Sequence, residues 1–205
     1  MRTASSLIRF AAVAALAGAT VACTSDGGAL VGYVPPAEKS VGSVTATEIV
    51  DGRPREFSFR AADGELMVVF FGYTNCPDVC PATLANLKNA KKKLGDRAGR
   101  VDIAMVTVDP ARDTAEVLPR YLSSFTDRFH AVVPADETEL AEAEDAFQAS
   151  SSVTVTDGRV EVTHSGTAYV VDNNGRVVVE WPFGVDVPSI VNDLRILLGQ
   201  KESTT

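Results

Sequence analysis

Histidine, cysteine and tryptophan are scarce in this chain: two, three and one among 205 residues. Any metal or redox chemistry is therefore confined to a handful of positions. Positive charge is also in the minority, with 19 Lys and Arg against 27 Asp and Glu and a net charge of -8. No basic patch with interleaved aromatics is present, so a phosphate backbone is repelled and nucleic-acid binding is excluded. There is no phosphate-cradling glycine loop and no internal repeat. The one sustained apolar run near the start, residues 10–22, is too short to span a bilayer comfortably.

That run follows Arg2 and Arg9 and contains no acidic residue, the pattern of a secretory signal over residues 1–22. Thr20, Val21 and Ala22 then lead into Cys23. This stretch resembles the lipobox of bacterial lipoproteins, which implies a lipidated Cys23, membrane attachment through the N-terminal lipid, and an extracytoplasmic location at the bacterial cell membrane. A plain secretory signal or an uncleaved anchor is the alternative. Removing residues 1–22 takes away two positive charges and moves the net charge from -8 to -10. Residues 23–43 hold Gly27-Gly28 and Pro35-Pro36 without apolar periodicity and are expected to form a flexible tether. Residues 44–200 are expected to fold, and 201–205 to be a disordered tail.

Within the folded part, residues 66–71 are continuously apolar, as are most of 101–108; both read as inner strands buried on two faces. Between them, Pro81 suits a first helical turn, Leu84, Leu87, Ala90 and Leu94 recur at helical spacing, and Gly95 supplies a stop. The cluster Lys88, Lys91, Lys92 and Lys93 reads as a C-terminal turn favoured by the macrodipole. Asp113 and Glu116 look like a capping pair for a helix carrying Val117, Leu118, Tyr121, Leu122 and Phe125. Pro119 predicts a kink in it or a later start. A short strand at 131–133, an acidic helix at 137–147 and strand-like runs at 153–162 broken at Asp157-Gly158 follow. Asn173-Asn174-Gly175 then marks a hairpin between 169–172 and 177–181, and Ile190, Val191, Leu194, Leu197 and Leu198 mark a last helix. This order predicts an α/β fold of thioredoxin-like type, a central mixed sheet with helices on both faces.

With Cys23 assigned to the signal, Cys76 and Cys80 remain and must act as a pair: a structural disulfide, a redox dithiol or a metal site. They lie between an inner strand and the helix it feeds, at the sheet's carboxyl edge where α/β proteins place their sites. The helix N-terminus there is expected to favour thiolate, which is both nucleophile and soft metal ligand. A bridge between residues four apart closes a small ring and restrains little chain entropy, which argues against a purely structural role. His164, in a loop ahead of the strand near Tyr169, would face the cysteines in a thioredoxin-like sheet. Two thiolates and an imidazole suit Cu(I), and the imidazole also suits Cu(II), whereas structural zinc wants four protein ligands.

Three stretches carry a family resemblance: FGYTNCPDVCP, VDPARDT at 108–114, and HSGTAYVVD at 164–172. In order and spacing they resemble the signatures of the Sco/SenC family across about residues 45–198. The resemblance implies that Cys76, Cys80 and His164 bind copper and that the protein helps assemble the dinuclear copper site of cytochrome c oxidase, with the oxidase's copper-bearing subunit as partner.

The competing expectation is a thiol-disulfide oxidoreductase acting through the same redox-active pair Cys76 and Cys80. Thioredoxin-type enzymes usually show CxxC and a proline in the facing loop, whereas this chain has three residues between its cysteines and Thr163-His164-Ser165 in that loop. A peroxidase-type cysteine signature is absent. Asp78 reads as a thiol-tuning or partner-facing acid, or as a solvated loop residue. Asp172 reads as a support for the site or as a turn residue. Asp109-Pro110 and Arg112-Asp113 are explained by a turn and a helix cap, and Met67 and Met105 by core packing.

Overall fold

The structure is a computed structural model and describes residues 28–200. The expected signal at 1–22, Cys23 and the tail at 201–205 lie outside the described residues. Among the described residues nine strands and four α-helices follow in chain order: β1 (Thr45–Val50), β2 (Arg53–Ser58), β3 (Leu66–Gly72), α1 (Val79–Leu94), β4 (Val101–Thr107), α2 (Val117–Ser123), β5 (Phe129–Val132), α3 (Glu137–Phe147), β6 (Ser151–Thr156), β7 (Arg159–His164), β8 (Ala168–Val171), β9 (Val177–Trp181) and α4 (Val187–Gln200), with a 3-10 helix at Gly95–Arg100 between α1 and β4.

Seven strands form one sheet in the order β2-β1-β5-β4-β3-β8-β9. β3 pairs parallel with β4, and β4 with β5, while the other neighbours are antiparallel. The parallel core explains the apolar runs: all seven residues of β3 are buried, as are six of the seven in β4, because helices cover both sides of such strands. Alternation along β3 shows this directly. Phe71 meets Phe147 of α3 with ring centroids 5.6 Å apart, whereas Gly72 faces Cys80 of α1 and the Phe70 ring. Met67 and Met105 are buried in the core, as expected.

β6 and β7 form a separate two-stranded sheet. Their turn is Asp157-Gly158, with φ of 51° and 78°, the left-handed pair that a two-residue hairpin demands. Pro119 falls at the third position of α2, inside the first turn, where a missing N–H costs nothing. The helix therefore starts at Val117, and its N-cap residue Glu116 makes no side-chain cap bond.

One expectation needs correction. The stretch read as a free tether is, from Val31 onward, laid along the outer edge of β9. Tyr33 and Glu180 exchange both backbone hydrogen bonds (2.9 and 2.8 Å), Val177 N–H donates to the Lys39 carbonyl (2.9 Å), and Val41 is fully buried. The Asp193 carboxylate on α4 accepts from the Val31 and Gly32 N–H groups at 2.7 and 2.9 Å. Edge pairing of this kind is made by backbone and leaves no apolar period to read. The lysine cluster does close α1, with Lys91, Lys92 and Lys93 in its last turn. Lys91 is buried and its Nζ donates to the Val101 carbonyl, and burial holds its pKa down.

Candidate metal centre

β3 ends at Gly72, the parallel ladder closes with Val108 N–H donating to the Gly72 carbonyl, and the chain turns through residues 73–78 into α1. Gly72 is there for space: a Cβ at this position would stand 2.7 Å from the Cys80 sulfur. Cys76 N–H donates to the Tyr73 carbonyl at 3.2 Å, a tight turn that directs the Cys76 side chain back toward the helix. Asp78 caps α1, its carboxylate accepting from Val79 N–H at 2.6 Å; this exposed acid serves the helix start.

Cys80 sits in the first turn of α1 with none of its surface exposed, and Cys76 is 8% exposed. Both are free thiols, and Cys80 N–H donates to the Cys76 sulfur at 3.3 Å. The helix N-terminus does not make Cys80 an easy thiolate. Burial pushes its thiol well above the usual range, a hydrogen bond from the Tyr73 backbone only partly offsets this, and Cys76 adds to the rise.

His164 is the last residue of β7, paired with Ser151, and so belongs to the hairpin's base instead of the expected loop. Its Nδ1 lies 3.0 Å from the Ser165 carbonyl oxygen. A carbonyl only accepts, so Nδ1 carries a proton, and it is Nε2 that is left as the nitrogen able to donate a lone pair to a metal. That nitrogen stands 3.7 Å from the Cys80 sulfur. Tyr73 backs the ring edge-on, centroids 5.8 Å apart. The donor atoms of Cys76, Cys80 and His164 all lie within 4.8 Å of one another, and this is the one such Cys, His or carboxylate group among the described residues.

His130 belongs elsewhere. It is the second residue of β5, paired with Ala104 two residues beyond Asp102 of β4, and thus lies toward the opposite end of the parallel strands. Its Nδ1 bonds Glu48 at 2.8 Å and its Nε2 lies 3.6 Å from Asp102. Burial works against its charge, but these two carboxylates hold its pKa up to about 9. Asp172 also has no role at the cysteines. Its carboxylate accepts from the Asn174 and Arg176 N–H groups and from the Arg176 guanidinium, all within its own turn. Asp109 accepts from Arg112, whose guanidinium lies 5.9 Å from the Tyr73 ring centre.

Asp113 departs most from its sequence reading. It does not cap α2 but is fully buried, and its carboxylate accepts from Thr74 N–H and Oγ1 and from Thr107 Oγ1. The spacing to Glu116 imitates a capping pair, and nothing local in the sequence marks Thr74 as its partner.

Against known proteins, the SCO1/SenC family model matches residues 43–199. The chain belongs to the SCO1/SenC family. A SCO2-like protein of Rickettsia prowazekii is 30% identical over 149 residues, covering 70% of this chain and 71% of that protein. Among solved structures, Bradyrhizobium japonicum ScoI with copper bound has a TM-score of 0.63 at 28% identity, over 74% of this chain and 96% of that one. Apo Sco1 of Thermus thermophilus has a TM-score of 0.64 at 28% identity, over 85% and 96%. These Sco neighbours carry the same thioredoxin-like architecture.

Proposed function

We propose that this Sco-family chain is an extracytoplasmic copper chaperone in which Cys76, Cys80 and His164 hold the ion and pass it to the dinuclear copper site of cytochrome c oxidase. One observation carries the proposal: two sulfurs and an imidazole nitrogen, drawn from a loop, a helix and a hairpin, converge within 4.8 Å. Two soft sulfurs with one borderline nitrogen fit Cu(I), and the imidazole also accommodates Cu(II). A zinc centre of structural type would lack its fourth protein ligand. The Ser165 carbonyl fixes the His164 tautomer, and the apolar packing around Cys80 restricts water at the sulfur. The copper bound by the Bradyrhizobium neighbour and the family resemblance support the reading; the oxidase's copper-bearing subunit as client follows from the resemblance.

Among the described residues no helix is long and apolar enough to cross a membrane. Attachment is proposed to come from a lipid on Cys23, so Cys23→Ser should release the protein or block its maturation, measured by fractionation and N-terminal mass. Copper binding is tested by Cu(I) competition titration of the reduced protein. Single Cys76→Ser, Cys80→Ser and His164→Ala variants should each lose affinity, and oxidase copper content in cells should fall with them. Unchanged affinity in all three would overturn the proposal.

A second role uses the same pair. Both thiols are free and in reach of one another, and Cys76 is the more accessible. As thiolate, Cys76 would attack a client disulfide and release one client thiol. Cys80 would then displace the second client thiol, leaving client reduced and the pair oxidised.

A further inference from the structure

Two of the three donors ride on regular structure, Cys80 on α1 and His164 at the end of β7. Cys76 has only the loop after β3 to hold it. We propose that Asp113 is the residue that positions Cys76, acting through Thr74; its bearing on copper rests on the function proposed above.

Asp113 lies beyond β4, in a turn where its N–H donates to the Asp109 carbonyl at 3.0 Å. None of its surface reaches solvent. One carboxylate oxygen accepts from Thr74 N–H at 2.9 Å and Thr107 Oγ1 at 2.7 Å, and the other accepts from Thr74 Oγ1 at 2.5 Å. Thr107 Oγ1 in turn accepts from Asp109 N–H at 3.0 Å, so its proton is committed to Asp113. Burying a carboxylate is costly unless hydrogen bonds satisfy it, and these three partners are all neutral donors. Both donors on Thr74 are used, so backbone and side chain of one residue are gripped together.

Thr74 is two residues ahead of Cys76, inside the Tyr73-to-Cys76 turn. Gripping it fixes the turn against the carboxyl end of β4, and the turn fixes where the Cys76 sulfur stands relative to Cys80 N–H, from which it accepts at 3.3 Å. Asp113 touches neither sulfur nor imidazole. Beyond the influence of its charge on the Cys80 thiol, its effect is on where one donor is held, as expected of groups that orient a metal's ligands.

The test compares the full chain, reduced and metal-free, with Asp113→Asn, Thr74→Val and, as a matched control, Asp193→Asn. Asp193 is likewise a buried carboxylate accepting backbone N–H bonds, at a place unconnected to Cys76. The deciding readout needs no metal: the alkylation rate of Cys76 relative to Cys80, by iodoacetamide and mass spectrometry. Asp113→Asn should raise it several-fold, Thr74→Val in the same direction, and Asp193→Asn should leave it unchanged even where it lowers stability. Cu(I) affinity by chelator competition should fall about 10- to 100-fold in Asp113→Asn and stay unchanged in Asp193→Asn. If Asp113→Asn folds with the wild-type alkylation ratio, or Asp193→Asn shifts that ratio equally, the positioning role is overturned; if Asp113→Asn does not fold, Thr74→Val decides by the same ratio. A shifted ratio in a chain whose copper binding ignores Cys76→Ser and His164→Ala keeps the positioning role and removes the copper reading.

Discussion

His164 Nε2 and Cys80 Sγ stand 3.7 Å apart although 84 residues separate them along the chain. One is delivered by a hairpin and the other by a helix, and their meeting is what separates this site from a simple dithiol. Replacing His164 by Ala should therefore affect two chemistries unequally. Metal retention loses a donor, while thiol exchange still has an attacking sulfur, a leaving sulfur and access. Copper affinity is expected to fall by about tenfold or more, with disulfide-client reduction within a few-fold of wild type. Retained copper with collapsed reductase activity would make the oxidoreductase reading the leading one.

Gly72→Ala places a methyl 2.7 Å from the Cys80 sulfur, with Met105 and Phe70 at 3.2 Å. Overpacking of this kind costs about 1 to 3 kcal/mol. Urea denaturation should show that loss, and Cu(I) titration should show weakened binding, because α1 or the sulfur must shift.

The cluster at the other end of the sheet predicts a pH dependence of stability. His130 is held at about 9, above its ordinary 6.5, so its contribution is complete below pH 6.5 and is lost as pH rises through 9. Asp102 is buried, which opposes its charge, but His130 and Arg128 bring it down to about 2 from 3.8. Its contribution is complete above pH 3.8 and lost as pH falls toward 2. The two shifts partly describe one interaction and are not summed. Urea midpoints should be highest between about pH 4 and 6.5, and the decline from pH 7 to 9.5 should flatten in His130→Gln. A wild-type midpoint that rises over that alkaline range contradicts the assignment.

Asp193→Ala removes the acceptor for Val31 N–H, Gly32 N–H and Trp181 Nε1. Leaving such donors unsatisfied costs about 1 to 3 kcal/mol each when they stay buried. Hydrogen exchange across residues 31–41 should accelerate, while exchange in β3 and β4 stays slow.

Much of the sheet was readable because parallel inner strands must be apolar on both faces, as in β3 and β4, and because Asp157-Gly158 and Asn173-Asn174-Gly175 announce their turns. Cys76 and Cys80 stood out by scarcity and spacing, and His164 by resemblance and topology. Asp113 was misread for a physical reason: an acid three residues before Glu116 has the local pattern of a cap, while its true partners, Thr74 and Thr107, are distant in sequence or lie in a strand. The docked segment at 31–41 was missed because backbone pairing to β9 needs no particular side chains. Cys80's resistance to ionisation was hidden because the helix start is local, whereas its burial depends on β3, β7 and Gly72.

The pairing of residues 31–41 with β9 also sets a leash length. A lipid on Cys23 would be separated from the first residue held by a hydrogen bond, Ala29, whose carbonyl accepts from Asn192 on α4, by about six residues, at most about 22 Å of extended chain. A tether free as far as residue 43 would allow about 70 Å by the same measure. The domain would then hover close to the lipid headgroups and turn about a short stalk, so a recipient held in the same membrane would meet a narrow range of approach angles. Pull from the membrane would enter the fold at Asn192 and Asp193 and run along β9, unzipping edge hydrogen bonds one after another before any load reached β3 and the cysteines.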